Sequence, residues 1–247
     1  MTEAEETLND MPSGLPAAGA ALVLAVALPW VLVRRCGAAP SSVVAGAAAW
    51  GVAVAVKRAV AAPLRRRFAD RPVAGAAALG ALSAATELSA SQAWLGRRAR
   101  PEPDLLAFGA GAAGAEAVAL IVFGAFGESP SEERVMRWAQ GARRSRLVHH
   151  ALFAERLSAT IGHIASRSLL ALGVRRRRPI TAGLPILLFT VVDGVASYGR
   201  QAGWDWSDPA MLRRFHAFLA TVDAIEMLHL AYATDLGSTL SALRRGG

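Results

Sequence analysis

The chain is poor in cysteine and in aromatic residues. Cys36 is the only cysteine among 247 residues, so an intrachain disulfide is excluded and the redox compartment is not indicated. Aromatic residues make up 6% of the chain although 53% of it is hydrophobic, so the apolar content is mainly alanine, valine and leucine. Together with glycine, this composition favours closely packed helices over β-sandwiches.

Several long stretches lack charged residues altogether. A soluble helix shows a charged residue at every third or fourth position, yet "ALVLAVALPWVLV" and "TAGLPILLFTVV" contain none. These stretches lie within apolar segments of roughly 17 to 25 residues, which is the length of a transmembrane helix. Arginine-rich loops suited to lipid headgroups separate the segments. The segments are 15–33, 42–62, 73–95, 105–127, 147–171, 180–199 and 211–235. The sequence therefore predicts an all-α, polytopic membrane helix bundle with about seven transmembrane helices.

The domain organisation follows from the same pattern. We expect an acidic flexible tail over 1–14, a single transmembrane helical domain over 15–235 and a short basic tail over 236–247. The acidic start "MTEAEETLND" lacks the basic region of a signal peptide, so 15–33 is expected to be a retained span. The alternative is a soluble alanine-rich bundle, which the modest mean hydropathy of +0.34 and the presence of Lys57 and Arg58 in the second segment favour.

The net charge of +8 comes from arginines between the segments. Attraction to anionic lipid accounts for these arginines, and no nucleic-acid-binding motif is present. The lipid bilayer is therefore the expected partner, together with a membrane protein or peptide as substrate or partner. The expected localisation is the bacterial cell membrane.

A glycine motif typical of dinucleotide-binding loops is present at Gly109, Gly111 and Gly114. That motif needs a buried strand before it, whereas the preceding residues "RRARPEPDL" are charged and contain prolines. We therefore expect the three glycines to pack one membrane helix closely against others.

Ionisable residues lie within the apolar segments. A charge at bilayer depth is costly, so such residues normally face a protein interior or a water-filled cavity. These residues are Glu87, Glu116, Glu155, Arg156, His163, Asp193, Asp223, Glu226 and His229.

The fifth segment places its polar residues on one side of a helix. At about 100° per residue, two adjacent stripes form within a narrow sector. The stripes are Glu155, Ala159, Gly162 and Ser166, and Arg156, His163 and Arg167. This pattern predicts a helix that lines an internal polar cavity, into which Glu116 from the fourth segment also points. An ion pair between Glu116 and Arg156 is the alternative role for this carboxylate.

A metal site is weakly indicated. Glu226 and His229 are three residues apart and can meet on one helix face. The same Glu-x-x-His spacing serves di-iron bundles, but those need two copies and two further glutamates. The sequence therefore identifies no cofactor. A bound divalent metal ion is one way in which the protein could activate a water molecule.

Two stretches, "GAGAAGAEA" and "AERLSATIGHIASRSLL", resemble the YhfC family of intramembrane peptidases, relatives of the CAAX-prenyl-protease-like and PrsW-type membrane proteins. The resemblance extends over segments three to seven in spacing and residue type. It implies an intramembrane glutamic-type peptidase, in which Glu87 would activate water and His163 would act as the electrophilic or proton-shuttling partner. Glu116, Glu155 and Asp193 would supply the supporting shell.

The chain departs from the wider superfamily at three positions. Thr86 stands where a second glutamate is usual, Ala159 where an aromatic residue is usual, and Phe189 where a histidine is usual. These departures leave open a catalytically inactive member acting as a membrane scaffold, chaperone or partner subunit. A proton-coupled transporter is a third alternative, with Glu116, Glu155 and Asp193 as its relay.

Overall fold

A computed structural model of the chain describes residues 14–96, 100–126 and 132–234, and all regular secondary structure in them is helical. The helices are α1 Gly14–Cys36, α2 Pro40–Arg67, α3 Pro72–Leu95, α4 Glu102–Phe126, α5 Glu132–Arg144, α6 Arg146–His149, α7 Ala151–Arg175, α8 Pro179–Gln201 and α9 Pro209–Ala233. The predicted tails 1–14 and 236–247 lie outside the described residues, except for Gly14, which begins α1.

Four of the described helices, α2, α3, α7 and α8, are long and apolar enough to cross a membrane. Large apolar side chains cover the outer faces of α2 and α8, with Val44 68% exposed and Leu187 60% exposed. Contiguous apolar surface of this kind is unfavourable in water and is covered by acyl chains in a bilayer. The all-helical class is thus confirmed for the described residues, and the four apolar helices indicate an integral membrane protein in contact with lipid.

Proline marks the start of several of these helices. Pro40, Pro72, Pro179 and Pro209 each occupy the first turn of their helix. Proline is favoured there because the first-turn N–H groups have no partner within the helix. The helix boundaries therefore follow local sequence signals.

Five helices form a closed circuit of packing contacts around the centre of the protein. In order around the circuit they are α2, α3, α8, α7 and α4. Helix α1 packs against α4, and α9 packs against α7. Ionisable side chains of the five helices and of α9 face a common cavity.

Glycines of α4 allow the closest helix contacts. A Cβ atom at Gly111 would overlap the carbonyl oxygen of Val43 on α2, and one at Gly109 would lie 2.5 Å from the Cα of Ile164 on α7. These glycines lie inside the continuous helix Glu102–Phe126. The prediction that they are helix-packing residues is confirmed.

Candidate functional site

A cavity of about 280 Å³ lies inside the bundle, and residues of α2, α3, α4, α7, α8 and α9 line it. Its ionisable residues are Lys57, Glu87, Glu116, Glu155, Arg156, His163, Asp193, Arg200, Asp223 and Glu226. All five residues of the predicted site are among them. The expectation that the carboxylates and the histidine share one polar cavity therefore holds.

Glu116 and His163 are in direct contact. The Nε2 atom of His163 bonds to Oε2 of Glu116, and Arg156 donates from Nη1 to the other oxygen of Glu116 at 2.9 Å. Arg156 also donates to Glu155 at 2.8 Å. The ion pair between Glu116 and Arg156 is thus present, and it coexists with a carboxylate–imidazole pair.

Glu87 lies between two cations. Lys57 donates to its Oε1 at 2.8 Å and Arg167 donates to its Oε2 at 2.9 Å. The Glu87 side chain is only 3% exposed. Each carboxylate oxygen therefore already accepts a charge-assisted hydrogen bond, and a water molecule could bind there only beside or in place of a cation.

Ser83 joins Glu87 to Asp193. Its hydroxyl lies within hydrogen-bonding distance of both carboxylates and accepts from Lys57 at 2.9 Å. A hydroxyl has one proton, so Ser83 donates to one carboxylate at a time. Lys57 also lies 3.8 Å from Asp193, and the four groups form one network across α2, α3 and α8.

Lys57 is a site residue that the sequence analysis did not assign. Its signal was present, since a lysine within an apolar segment is itself an intramembrane charge. By itself this lysine also fits a soluble bundle, because the pattern of α2 alone does not show that two acidic helices face it.

Helix α9 contributes an acidic wall. Asp223 and Glu226 both line the cavity, and Glu226 is only 2% exposed. A Cβ atom at Gly162 would lie 3.9 Å from Oε2 of Glu226, so the small residues of the predicted stripe on α7 leave room for this carboxylate. His229 bonds to Thr181 at 3.1 Å, while Glu226 faces the cavity.

Phe189 lines the cavity beside His163. Its ring makes an edge contact with His163, with 6.2 Å between ring centroids, and the Arg167 guanidinium lies 5.7 Å from its centroid. The Nδ1 atom of His163 is buried without a hydrogen-bond partner. The cavity therefore contains one imidazole beside an aromatic wall.

In the part of the chain that the structure describes, no group of three or more His, Cys, Asp or Glu side chains is arranged to hold a metal ion. Most of the carboxylates of the cavity instead pair with Lys57, Arg156 or Arg167. The binding of a divalent metal ion stays a prediction from the sequence.

Comparison of the chain with protein-family models, with curated proteins and with solved structures gave no match. The resemblance to the YhfC family therefore stays a hypothesis based on the quoted residues. The chemistry of the cavity has to be argued from its own geometry.

Proposed function

We propose that this protein crosses the bacterial cell membrane seven times and cleaves a peptide bond within or beside the bilayer. Seven helices of 23 to 28 residues correspond to the seven predicted segments. The observation that carries the peptidase proposal is the direct contact between Glu116 and His163 in a cavity inside an apolar bundle. The proposed family is the YhfC-type intramembrane peptidases.

The contact pattern favours Glu116 and His163 as the pair that activates water. The imidazole bonds to Glu116 through Nε2 and keeps Nδ1 without a protein partner. A water bound beside this pair can lose its proton to the pair as its oxygen attacks the substrate carbonyl, and the pair can return that proton to the amide nitrogen as the carbon–nitrogen bond breaks and the amine leaves. General acid–base groups of this kind contribute about 10²- to 10⁴-fold to a rate.

The cations of the cavity can stabilise the negative charge that develops during peptide hydrolysis. Peptide hydrolysis develops negative charge on the carbonyl oxygen, which positive groups in a low-dielectric site stabilise. Lys57 keeps 29% of its side chain exposed while it bonds to Glu87. We assign Lys57 to oxyanion stabilisation and Glu87 to holding Lys57 and Arg167, whereas the resemblance to the YhfC family implies Glu87 as the base.

The test is cleavage in proteoliposomes by the purified full-length protein. Membranes containing the wild type and Glu116→Gln, His163→Ala or Glu87→Gln variants are compared for new peptide termini by mass spectrometry. Glu133→Gln is the matched control, because Glu133 is 77% exposed and lies on α5, away from the cavity.

We expect cleavage products from the wild type and from the Glu133→Gln control. We expect these products to be lost in the Glu116→Gln and His163→Ala variants. Loss with Glu87→Gln but not with Glu116→Gln would return the base role to Glu87. Products that persist at full yield in both Glu116→Gln and His163→Ala would overturn the catalytic assignment.

A non-catalytic scaffold, chaperone or partner subunit is the second candidate. The full occupation of both Glu87 oxygens by Lys57 and Arg167 favours it, since such networks also serve to fix helix positions. Recovery of a stoichiometric partner in mild detergent, with cell function unchanged in the His163→Ala variant, would support this alternative. The absence of any partner would count against it.

A further inference from the structure

A second cavity, of about 440 Å³, lies beside the first at the end of the bundle where α2 and α8 terminate. Its basic lining residues are Lys57, Arg58, Arg65 and Arg200, and Asp193 is the one carboxylate among the lining residues. Lys57 and Asp193 also line the first cavity. We call the second cavity the basic cavity.

The basic cavity lies where apolar surface gives way to basic surface. Helix α2 exposes 48% of Val56 and 41% of Val60 and then ends in Arg65, Arg66 and Arg67. Aromatic residues lie at the same end of the bundle, because Tyr198 of α8 makes an edge contact with Trp204, just beyond the helix, with 5.9 Å between ring centroids. Aromatic and basic residues together are typical of the membrane–water interface.

Helix-end electrostatics alone does not account for this arrangement. Arginine near a helix carboxyl end interacts favourably with the helix dipole, which is reason enough for Arg65 or Arg200 separately. It does not require that both line one cavity together with Lys57 and Arg58. Lys57 is already paired with Glu87 and Asp193, so Arg65 and Arg200 are the lining cations that leave the cavity with a positive potential, which concentrates anions.

We propose that the basic cavity binds the phosphate group of an anionic phospholipid. Arg65 and Arg200 would be its main contacts, because a guanidinium presents paired donors that match phosphate oxygens. The acyl chains would lie along the exposed face of α2 at Val56 and Val60. Basic pockets between membrane helices recognise lipid headgroups in this way.

Lys57 connects this lipid site to the first cavity. Its ammonium group bonds to Glu87 while its side chain lines the basic cavity. A phosphate bound there would therefore compete with Glu87 for Lys57. The lipid site itself does not depend on the peptidase proposal, since it needs no catalysis.

The test is a titration of the purified full-length protein in neutral detergent, followed by its thermal unfolding temperature. The probes are short-chain phosphatidylglycerol, short-chain phosphatidylcholine and inorganic phosphate. We expect phosphatidylglycerol to raise the unfolding temperature of the wild type, and the other two probes to leave it nearly unchanged. The Arg65→Gln/Arg200→Gln variant should bind phosphatidylglycerol roughly thirtyfold more weakly, because each basic group near an anionic lipid contributes about fivefold.

The matched control is Arg213→Gln/Arg214→Gln. Both arginines are exposed, lie at the same end of the bundle and lie outside the basic cavity, so this variant should bind within about twofold of the wild type. If the Arg65/Arg200 double variant does not fold, the two single variants should each lose about fivefold.

Three results would overturn the proposal. Equal phosphatidylglycerol binding by the wild type and the Arg65 and Arg200 variants would remove the site. An equal loss in the control would reduce it to general surface attraction. An equal effect of inorganic phosphate at the same concentration would show that a free anion, and not a lipid, is the ligand.

Discussion

Arg167 donates a hydrogen bond to Glu87 at 2.9 Å in the middle of the bundle, and the two side chains are only 1% and 3% exposed. The pair joins α7 to α3 across 80 positions of sequence. Two charges so deeply buried are expensive to desolvate, and their mutual attraction compensates for that cost only while both are present. The pair therefore makes the packing of α3 against α7 sensitive to either partner.

Replacement of Arg167 by Met should lower the free energy of unfolding by about 1–3 kcal/mol, because it leaves Oε2 of Glu87 buried without its donor while Lys57 still pairs with Oε1. Reversible unfolding in mixed detergent measures the change. Arg137→Met is the control: its partner Glu133 is 77% exposed, and exposed pairs contribute at most about 1 kcal/mol. Similar losses in the two variants would contradict the importance of the buried pair.

Gly111→Ala should destabilise the protein by about 1–3 kcal/mol, because the added methyl group overpacks the contact between α4 and α2. The same change at Gly51 is a close control, since a Cβ atom there meets nothing within 4 Å. Gly51→Ala should be neutral or stabilising by up to about 1 kcal/mol. The thermal unfolding temperature of both variants in detergent measures the change in stability. A Gly111→Ala variant as stable as the wild type would refute the close-packing role of this glycine.

Asp208→Ala should cost about 1 kcal/mol of stability. Asp208 caps α9 by accepting from the backbone N–H of Ala210 at 3.0 Å and of Met211 at 3.3 Å. Asp208→Asn keeps an accepting oxygen and should retain most of the stability. The unfolding temperature is the measurement, and equal values for the Ala and Asn variants would exclude a capping contribution.

Leu187→Arg should reduce the fraction of protein that inserts into membranes. Leu187 is 60% exposed on α8, and an arginine near the centre of a span costs about 2.5–3.5 kcal/mol on insertion scales. Leu187→Ala serves as the control. Resistance to alkaline extraction measures insertion, and a wild-type protein that stays folded in buffer without detergent would refute the membrane assignment altogether.

The apolar runs predicted the seven long helices, but not α5, Glu132–Arg144, which lies in a stretch expected to connect two spans. The apolar runs and the prolines at positions such as Pro40 and Pro72 determine where helices form and begin, because both act over a few residues of one chain segment. The small-residue character of Gly109 and Gly111 likewise indicated close helix packing. The membrane class followed from the same runs.

The partners of the charged residues were harder to predict. The polar stripe of α7 indicated that Arg156 and His163 face a cavity, but it could not show that both reach Glu116. Lys57 was the clearest omission, since its partner Glu87 lies on a different helix.

The residues alone predict apolar helices with ionisable side chains on their inner faces. The packing of those helices brings Glu116 to His163, places Glu87 between Lys57 and Arg167, and makes α2 and α8 end at a shared basic cavity. The difference arises because hydrophobic periodicity gives only the direction of a side chain about its own helix axis. Which opposite charge it meets depends on the order, rotation and depth of the neighbouring helices.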